Sequence, residues 1–163
     1  MKNKNKKEKG KTAPAIPKAV KSFLSDTSSF SPEWSGSILR MLPESVRGAY
    51  PLLREHLRIL SAGICIGEAK GKDFIPAEEL ALSTALRPDA FPVADLDWDD
   101  AIRYLKKEAL LLPAGTEKGY VLVRHKKFPL GFAKHLGNRA NNLYPQEWRI
   151  RTGYVPEQVK TFE

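Results

Sequence analysis

The sequence predicts an α+β domain, a small, partly closed β-barrel or strongly bent sheet that carries two or three short helices. Three observations predict it. Short, glycine-punctuated runs of β-branched and aromatic residues recur from Leu57 onward. A helical apolar spacing interrupts them near residue 100, so helices are inserted among strands. The chain has 163 residues of which 42% are hydrophobic, enough to bury one ordinary core and too little for two.

Residues 1–18, MKNKNKKEKGKTAPAIPK, hold seven lysines against Glu8 alone, two prolines and almost no large apolar side chains. Ordering them costs entropy with little burial in return, so a disordered basic arm or linker is expected. Such an arm is either a solvated spacer or a weak, unspecific phosphate contact. Residues 19–54 read as a small connecting unit packed against the main domain. It comprises a short helix from Ala19 to Leu24, a serine-rich break from Ser25 to Ser31, a strand within Trp34 to Pro43 and a helix within Glu44 to His56. The main domain is then 55–151, with a tail at 152–163.

Within the main domain, LRILSAGICIGEAKG spaces β-branched residues and glycines as a strand does. Asp73 is suited to cap a following helix of about three turns, with Pro76 in its first turn, Glu78 and Glu79 answering the dipole and Pro88 beyond its end. Asp97 is suited to cap a second helix, in which Trp98, Ala101, Ile102 and Leu105 fall on one face. After Glu108 the pattern predicts three consecutive antiparallel strands, ALLLP, YVLVRH and FPLGFAKHL. The first turn lies between Ala114 and Gly119, the second at Lys126–Lys127. There is no internal repeat.

Charge is strongly polarised. The net charge is +8. Residues 1–18 carry +6, and residues 124–151 carry another +6 from seven cations against Glu147 alone. Residues 19–123 hold twelve basic against fifteen acidic side chains. Basic side chains thus concentrate at the end of the fold, which points to a polyanionic partner.

The segment GNRANNLYPQEWRIR, 137–151, is polar, basic and aromatic where a plain connection would be shorter. Arg139, Arg149 and Arg151 can grip phosphates with two prongs, and Asn138, Asn141 and Asn142 offer donors and acceptors to sugars or base edges. Tyr144 or Trp148 can stack on an unpaired base, although Trp148 taken alone is expected in the core and the asparagines can equally cap turns. Lys126, Lys127 and Lys134 in the adjacent hairpin extend the same surface or are merely solvated. Lys70 and Lys72 flank Gly71 in a second basic turn of the same kind. The predicted RNA-contacting set is therefore Lys126, Lys127, Lys134, Arg139, Asn141, Asn142, Tyr144, Arg149 and Arg151. Arg139, Arg149, Lys134 and Lys126 are expected to share one face, which would favour RNA binding; scattered cations beside an exposed apolar patch would favour protein docking.

Catalytic readings find little support. The single cysteine, Cys65, lies between Ile64 and Ile66 without a sequence-near histidine, as a buried inert thiol does, and it excludes an intramolecular disulfide. Asp95, Asp97, Asp99 and Asp100 lack the glycine and distal glutamate of a calcium loop and suit a helix start better. No glycine-rich strand-to-helix loop, P-loop or HExxH occurs. No catalytic residue, metal site or cofactor site is expected. Lysines occupy the place of a secretory signal's apolar stretch, and no apolar run approaches the roughly 20 residues of a membrane span, so a cytoplasmic protein is expected.

Taken together, LRILSAGICIGEAKGKDFIPAEELALSTAL, AIRYLKKEAL, GYVLVRHKKFPLGFAK and NRANNLYPQEWRI resemble the carboxy-terminal domain of RsmF-like (YebU-like, Fmu/Sun-type) rRNA cytosine-5 methyltransferases. The features that carry it, over roughly 55–151, are G-x-x-x-G-E, P-x-x-x-L-A-L, Y-L-K-x-E, G-Y-V-L-V, P-L-G-F and N-x-Y-P. The resemblance implies a PUA-like RNA-binding fold, with Lys134, Asn142, Tyr144 and Pro145 at the family's positions. It also implies an upstream catalytic domain that binds S-adenosylmethionine and supplies two cysteines; Cys65 lies in the RNA-binding part and cannot inherit the nucleophile's role. Met1 is then expected to be a boundary within a longer polypeptide. The expected partners are ribosomal RNA, of the small subunit, and that catalytic domain. A monomer without membrane contact is expected.

Overall fold

A computed structural model describes residues 16–153. The predicted arm lies outside the described residues up to position 15, and the predicted tail from position 154. Ile16 already packs on the core and Lys18 opens a helix, so the fold begins earlier than the sequence suggests.

Two four-stranded sheets form the framework. The first is wholly antiparallel and runs β1 (Phe30–Ser35), β2 (Ile38–Pro43), β3 (Ile64–Lys70), β4 (Asp73–Pro76). The second runs β5 (Val93–Asp95), β6 (Gly119–His125), β7 (Phe128–His135), β8 (Ala140–Asn142), with β5 parallel to β6 and the rest antiparallel. The helices are α1 (Lys18–Lys21), α2 (Tyr50–His56), α3 (Glu78–Ala81) and α4 (Trp98–Leu105). The α+β class holds, and the strands divide between two open sheets without closing into a barrel. A boundary between 54 and 55 would cut the first sheet between β2 and β3.

Several local expectations are corrected. The strand expected within Trp34–Pro43 is a hairpin, because Gly36 at φ 60° turns the chain between β1 and β2. The helix expected within Glu44–His56 is a 3-10 turn, Glu44–Val46, followed by α2. Asp73 caps no helix: it pairs with Lys70 across the β3–β4 turn, and α3 is a single turn starting at Glu78. ALLLP supplies only a bridge from Leu110 to Ala140, so the third strand beside the β6–β7 hairpin is β8.

α4 and its cap form as predicted. The Asp100 amide donates to the Asp97 carboxylate at 2.8 Å, an interaction worth about 1 kcal/mol. Strand alternation then sorts the second sheet's side chains into two clusters. Leu122 and Phe132 face Leu39, Met41, Ile66, Leu80 and Phe91 of the larger cluster, while Val123 and Ala133 face Leu96, Ala101, Tyr104 and Leu110 of the smaller. The second sheet is covered on one side by the first sheet with α3 and on the other by α4. Its exposed parts are the turns and ends, where the candidate residues lie.

Candidate nucleic-acid interface

The β6–β7 turn is the first place where basic residues stand free. Lys126 (φ 46°) and Lys127 (φ 72°) both adopt the left-handed conformation of a tight two-residue hairpin. Asparagine and glycine enter that region readily, whereas lysine does so at roughly 1–2 kcal/mol. Such strain is retained where the surroundings or a function require it. Both lysines are exposed, and Phe128 beside them is 72% exposed. Neither lysine has an ion pair or side-chain hydrogen bond among the described residues.

Arg139 is exposed at the opposite end of the same hairpin. His125 pairs with Phe128 at the tip and Gly119 with His135 at the far end, so the strands separate the two sites by roughly 20 Å. Asn141, exposed on β8, lies in register with Lys134.

Lys134 itself is committed to the fold. Its Nζ lies 2.5 Å from the Asp73 carboxylate and 4.8 Å from the centre of the Tyr120 ring, and the Tyr120 hydroxyl donates to Asp73 at 2.9 Å. The bond from Lys134 holds the Asp73 carboxyl below its usual range, and the same contact raises the Lys134 ammonium. This triad ties β4 of the first sheet to β6 and β7 of the second, leaving little free charge at Lys134.

Asn142 and Tyr144 are also structural. The Asn142 amide nitrogen donates to the Tyr104 carbonyl at 2.9 Å and to the Glu108 carbonyl at 3.1 Å, and its oxygen accepts from the Tyr144 amide at 3.0 Å. Lys107, at φ 61°, donates to the Asn142 and Tyr144 carbonyls, and the Tyr144 ring meets Tyr104 edge-on at 5.4 Å. The N-x-Y-P motif is thereby a fastening between β8 and the end of α4. Asn142→Ala is expected to cost about 2 kcal/mol because it strips partners from part-buried backbone groups. That loss lowers the urea midpoint by about 1 M. Asn142→Asp, which also loses both donors, is expected to be no better, and a midpoint unchanged in both variants would remove the fastening role.

The third basic site lies just beyond that fastening. The Ile150 amide donates to the Leu105 carbonyl at 3.0 Å, which holds the Trp148–Arg151 segment against the end of α4. There Lys106, Glu108, Arg149, Ile150, Arg151, Thr152 and Gly153 line a cleft of about 380 Å³. Arg149 and Arg151 are exposed. Trp148, expected in the core, is 47% exposed and touches Tyr144 at a ring separation of 6.3 Å. Against the expectation of one shared face, the four cations singled out from the sequence do not form one cluster: Lys126 is at the tip, Arg139 at the far end, Arg149 by α4, and Lys134 is bound to Asp73.

Sequence reasoning missed Lys106, Lys107 and Phe128. The K-K doublet after Leu105 is legible only as a helix ending; nothing in it separates Lys106, which lines the cleft, from Lys107, which is consumed by two carbonyls. Asp95 and Arg124 form a bidentate pair at 2.5 and 2.8 Å, so Arg124 is neutralised although it lies in the basic stretch. Cys65 is partly buried and its thiol is raised by that burial. Among the described residues no group of three or more histidine, cysteine or acidic side chains is placed to hold a metal, and no helix is long and apolar enough to cross a membrane.

The family described as the methyltransferase RsmF PUA domain matches residues 91–150, the span from the core residue Phe91 through β8 to Ile150. The ribosomal RNA small subunit methyltransferase F of Shewanella baltica is 32% identical over 110 residues, which is 64% of this chain and 22% of that protein. The protein of the same description from Shewanella pealeana is 32% identical over 92 residues, 56% of this chain and 18% of its own. The chain spans about a fifth of the length of these curated relatives. The match begins where the second sheet begins and ends at the residue that pins the Trp148 segment to α4, so over residues 91–150 the chain is similar to the PUA domain of the RsmF methyltransferases.

Proposed function

We propose that this chain is an RNA-binding domain that holds ribosomal RNA of the small subunit for methyl transfer to a cytosine by an S-adenosylmethionine-dependent catalytic domain outside it. The observation that carries this reading is that Lys126, Lys127, Arg139, Arg149 and Arg151 are exposed on the matched domain or at its edge, and none has an ion pair among the described residues. The cations needed to hold the fold together, Lys107, Arg124 and Lys134, are separately accounted for. Basic sites spread over a hairpin and a helix end suit recognition of a folded RNA by backbone and shape. The methyl donor binds, on this reading, to the catalytic domain.

The test is binding of a labelled rRNA hairpin at several salt concentrations. Lys126→Ala/Lys127→Ala and Arg149→Ala/Arg151→Ala are each expected to weaken binding and to flatten the salt dependence by up to about one unit of log–log slope per contact removed. Removal of residues 1–15 is expected to leave most of the affinity. Wild-type affinity and slope in both pairs, with binding lost on removal of the arm alone, would reverse the assignment.

A second reading, protein docking, rests on a separate observation. Helix α2 buries none of its residues, and Leu52, Leu53, Leu57 and Leu60 are 59%, 37%, 60% and 85% exposed. A helix this short gains little stability without a packed face. This surface lies outside the matched domain and is compatible with RNA binding by the remainder.

A further inference from the structure

Resting on the RNA-binding reading, we infer that Trp148 and the cleft of Lys106, Arg149 and Arg151 form a site for one unpaired nucleotide of RNA, whose base stacks on the indole and whose phosphate the cations hold. The site is distinct from the hairpin tip and names the element of RNA that the chain selects.

The first observation is the exposure of Trp148. Among the described residues only Phe128 and Trp148 are exposed aromatic side chains. An indole normally contributes burial to a core. Here it lies on a segment anchored on both sides, by Tyr144 at 6.3 Å and by the Ile150 amide on Leu105. A single perpendicular neighbour at 76° covers at most one indole face. The ring is therefore held in place by its own chain while a large share of it stays open, as a stacking platform requires.

The second observation concerns what the cations are not doing. Basic residues often gather at a helix carboxy-terminus because they answer its free carbonyls. At the end of α4 those carbonyls already have partners. Ile102 accepts from the Lys106 amide at 2.9 Å, Arg103 from Glu108 at 2.9 Å, Tyr104 from Lys107 at 2.9 Å and Leu105 from Ile150 at 3.0 Å. Lys107 supplies its own ammonium to two further carbonyls, and Arg103 pairs with Asp100 at 3.7 Å. Among the described residues Lys106, Arg149 and Arg151 have no structural assignment and line one cleft, where Glu108 is the sole described carboxylate. The three cations and one acid among the described lining residues leave a positive concavity on the segment that also carries the open indole, and a phosphate linked to a planar base fits both features at once.

A paired nucleotide does not fit, because a base within a duplex keeps its faces stacked on its neighbours. The experiment therefore compares a single-stranded RNA of roughly eight nucleotides with a blunt RNA duplex of equal length, on the full chain. Binding of the single strand is expected to quench the fluorescence of Trp148, identified as the signal absent from Trp148→Phe. Trp148→Ala is expected to weaken single-strand binding roughly tenfold and leave duplex binding unchanged. Trp148→Phe, which keeps an aromatic face, is expected to recover most of that loss, and the exposed position makes both variants compatible with folding. Equal binding of both RNAs, insensitive to Trp148→Ala, would overturn the nucleotide site while leaving RNA binding in place. Absence of binding to either RNA would overturn the RNA-binding reading and this site with it.

Discussion

Gly131→Ala is expected to lower the stability of the fold by roughly 3 kcal/mol, read as a shift in the urea midpoint. Gly131 lies in β7 at φ 148°, a conformation that a side chain adopts only under strain. A Cβ there would press into both carboxylate oxygens of Glu78 and the hydroxyl of Tyr104, well inside contact distance. Glu78 is 7% exposed and Tyr104 is fully buried, so neither has room to retreat. The glycine of the P-L-G-F motif is thus required by the approach of α3 to β7, which puts Glu78 of the first half of the fold against Tyr104 of α4. Because part of the collision is with the Glu78 carboxylate, Glu78→Ala in the Gly131→Ala background is expected to recover some of the loss, a coupling that a double-mutant cycle measures. A cost below about 0.5 kcal/mol for Gly131→Ala would mean that this contact is loose.

The same locus shows how much of the fold is readable from the chain. The β6–β7 hairpin and α4 are legible because each carries its signal within about ten residues: alternating apolar residues around Lys126–Lys127 in one case, Asp97 followed by a one-sided apolar face in the other. α3 is misjudged because Glu78 and Glu79 resemble dipole-answering residues of an exposed first turn. In the structure Glu78 turns inward to Tyr104, and Glu79 accepts from the Cys65 amide at 2.8 Å and faces Arg40 at 3.5 Å. β5 is three residues long and pairs in parallel with a strand almost thirty positions later, a separation that carries no local pattern. β1 is hidden by Pro32, which an edge strand tolerates. For the candidate site, residue type and position identify the basic region, but not which cations are already spoken for. Lys134 and Asp73 are 61 positions apart, and Asn142 and Tyr104 are 38 apart. Trp148 is expected in the core because composition favours burial for any tryptophan, whereas its position beyond the Asn142–Tyr144 fastening leaves it outside.

Between pH 5 and pH 8 the protein is expected to lose on the order of 3 kcal/mol of stability, and Glu78→Gln is expected to abolish most of that loss. Burial, the largest influence, pushes the Glu78 carboxyl from 4.5 up to about 7, against the opposing bond from Tyr104. Its Oε1 has no hydrogen-bond partner among the described residues. A carboxyl raised in the folded state binds its proton more tightly there than in the unfolded chain. Its contribution is fully present below pH 4.5, declines as the unfolded chain ionises above that value, and is gone once the pH passes about 7. The lowered carboxyls of Asp26, Glu44, Asp73 and Asp95 have the opposite sign, and their effects are complete near the ordinary carboxylate range, below this window. The hydrogen bonds give the reason in atoms. Protonated Glu78 can donate to the Tyr104 hydroxyl, 3.3 Å away, which leaves the Tyr104 proton for the Phe132 carbonyl at 3.0 Å. Ionised Glu78 instead takes the Tyr104 proton, and the Phe132 carbonyl keeps the Leu143 amide at 3.1 Å. Urea unfolding at pH 5 and pH 8 separates the possibilities. A pH-independent midpoint in the natural protein would show that Glu78 is ionised throughout, whereas a slope that persists in Glu78→Gln would assign the titration to another group.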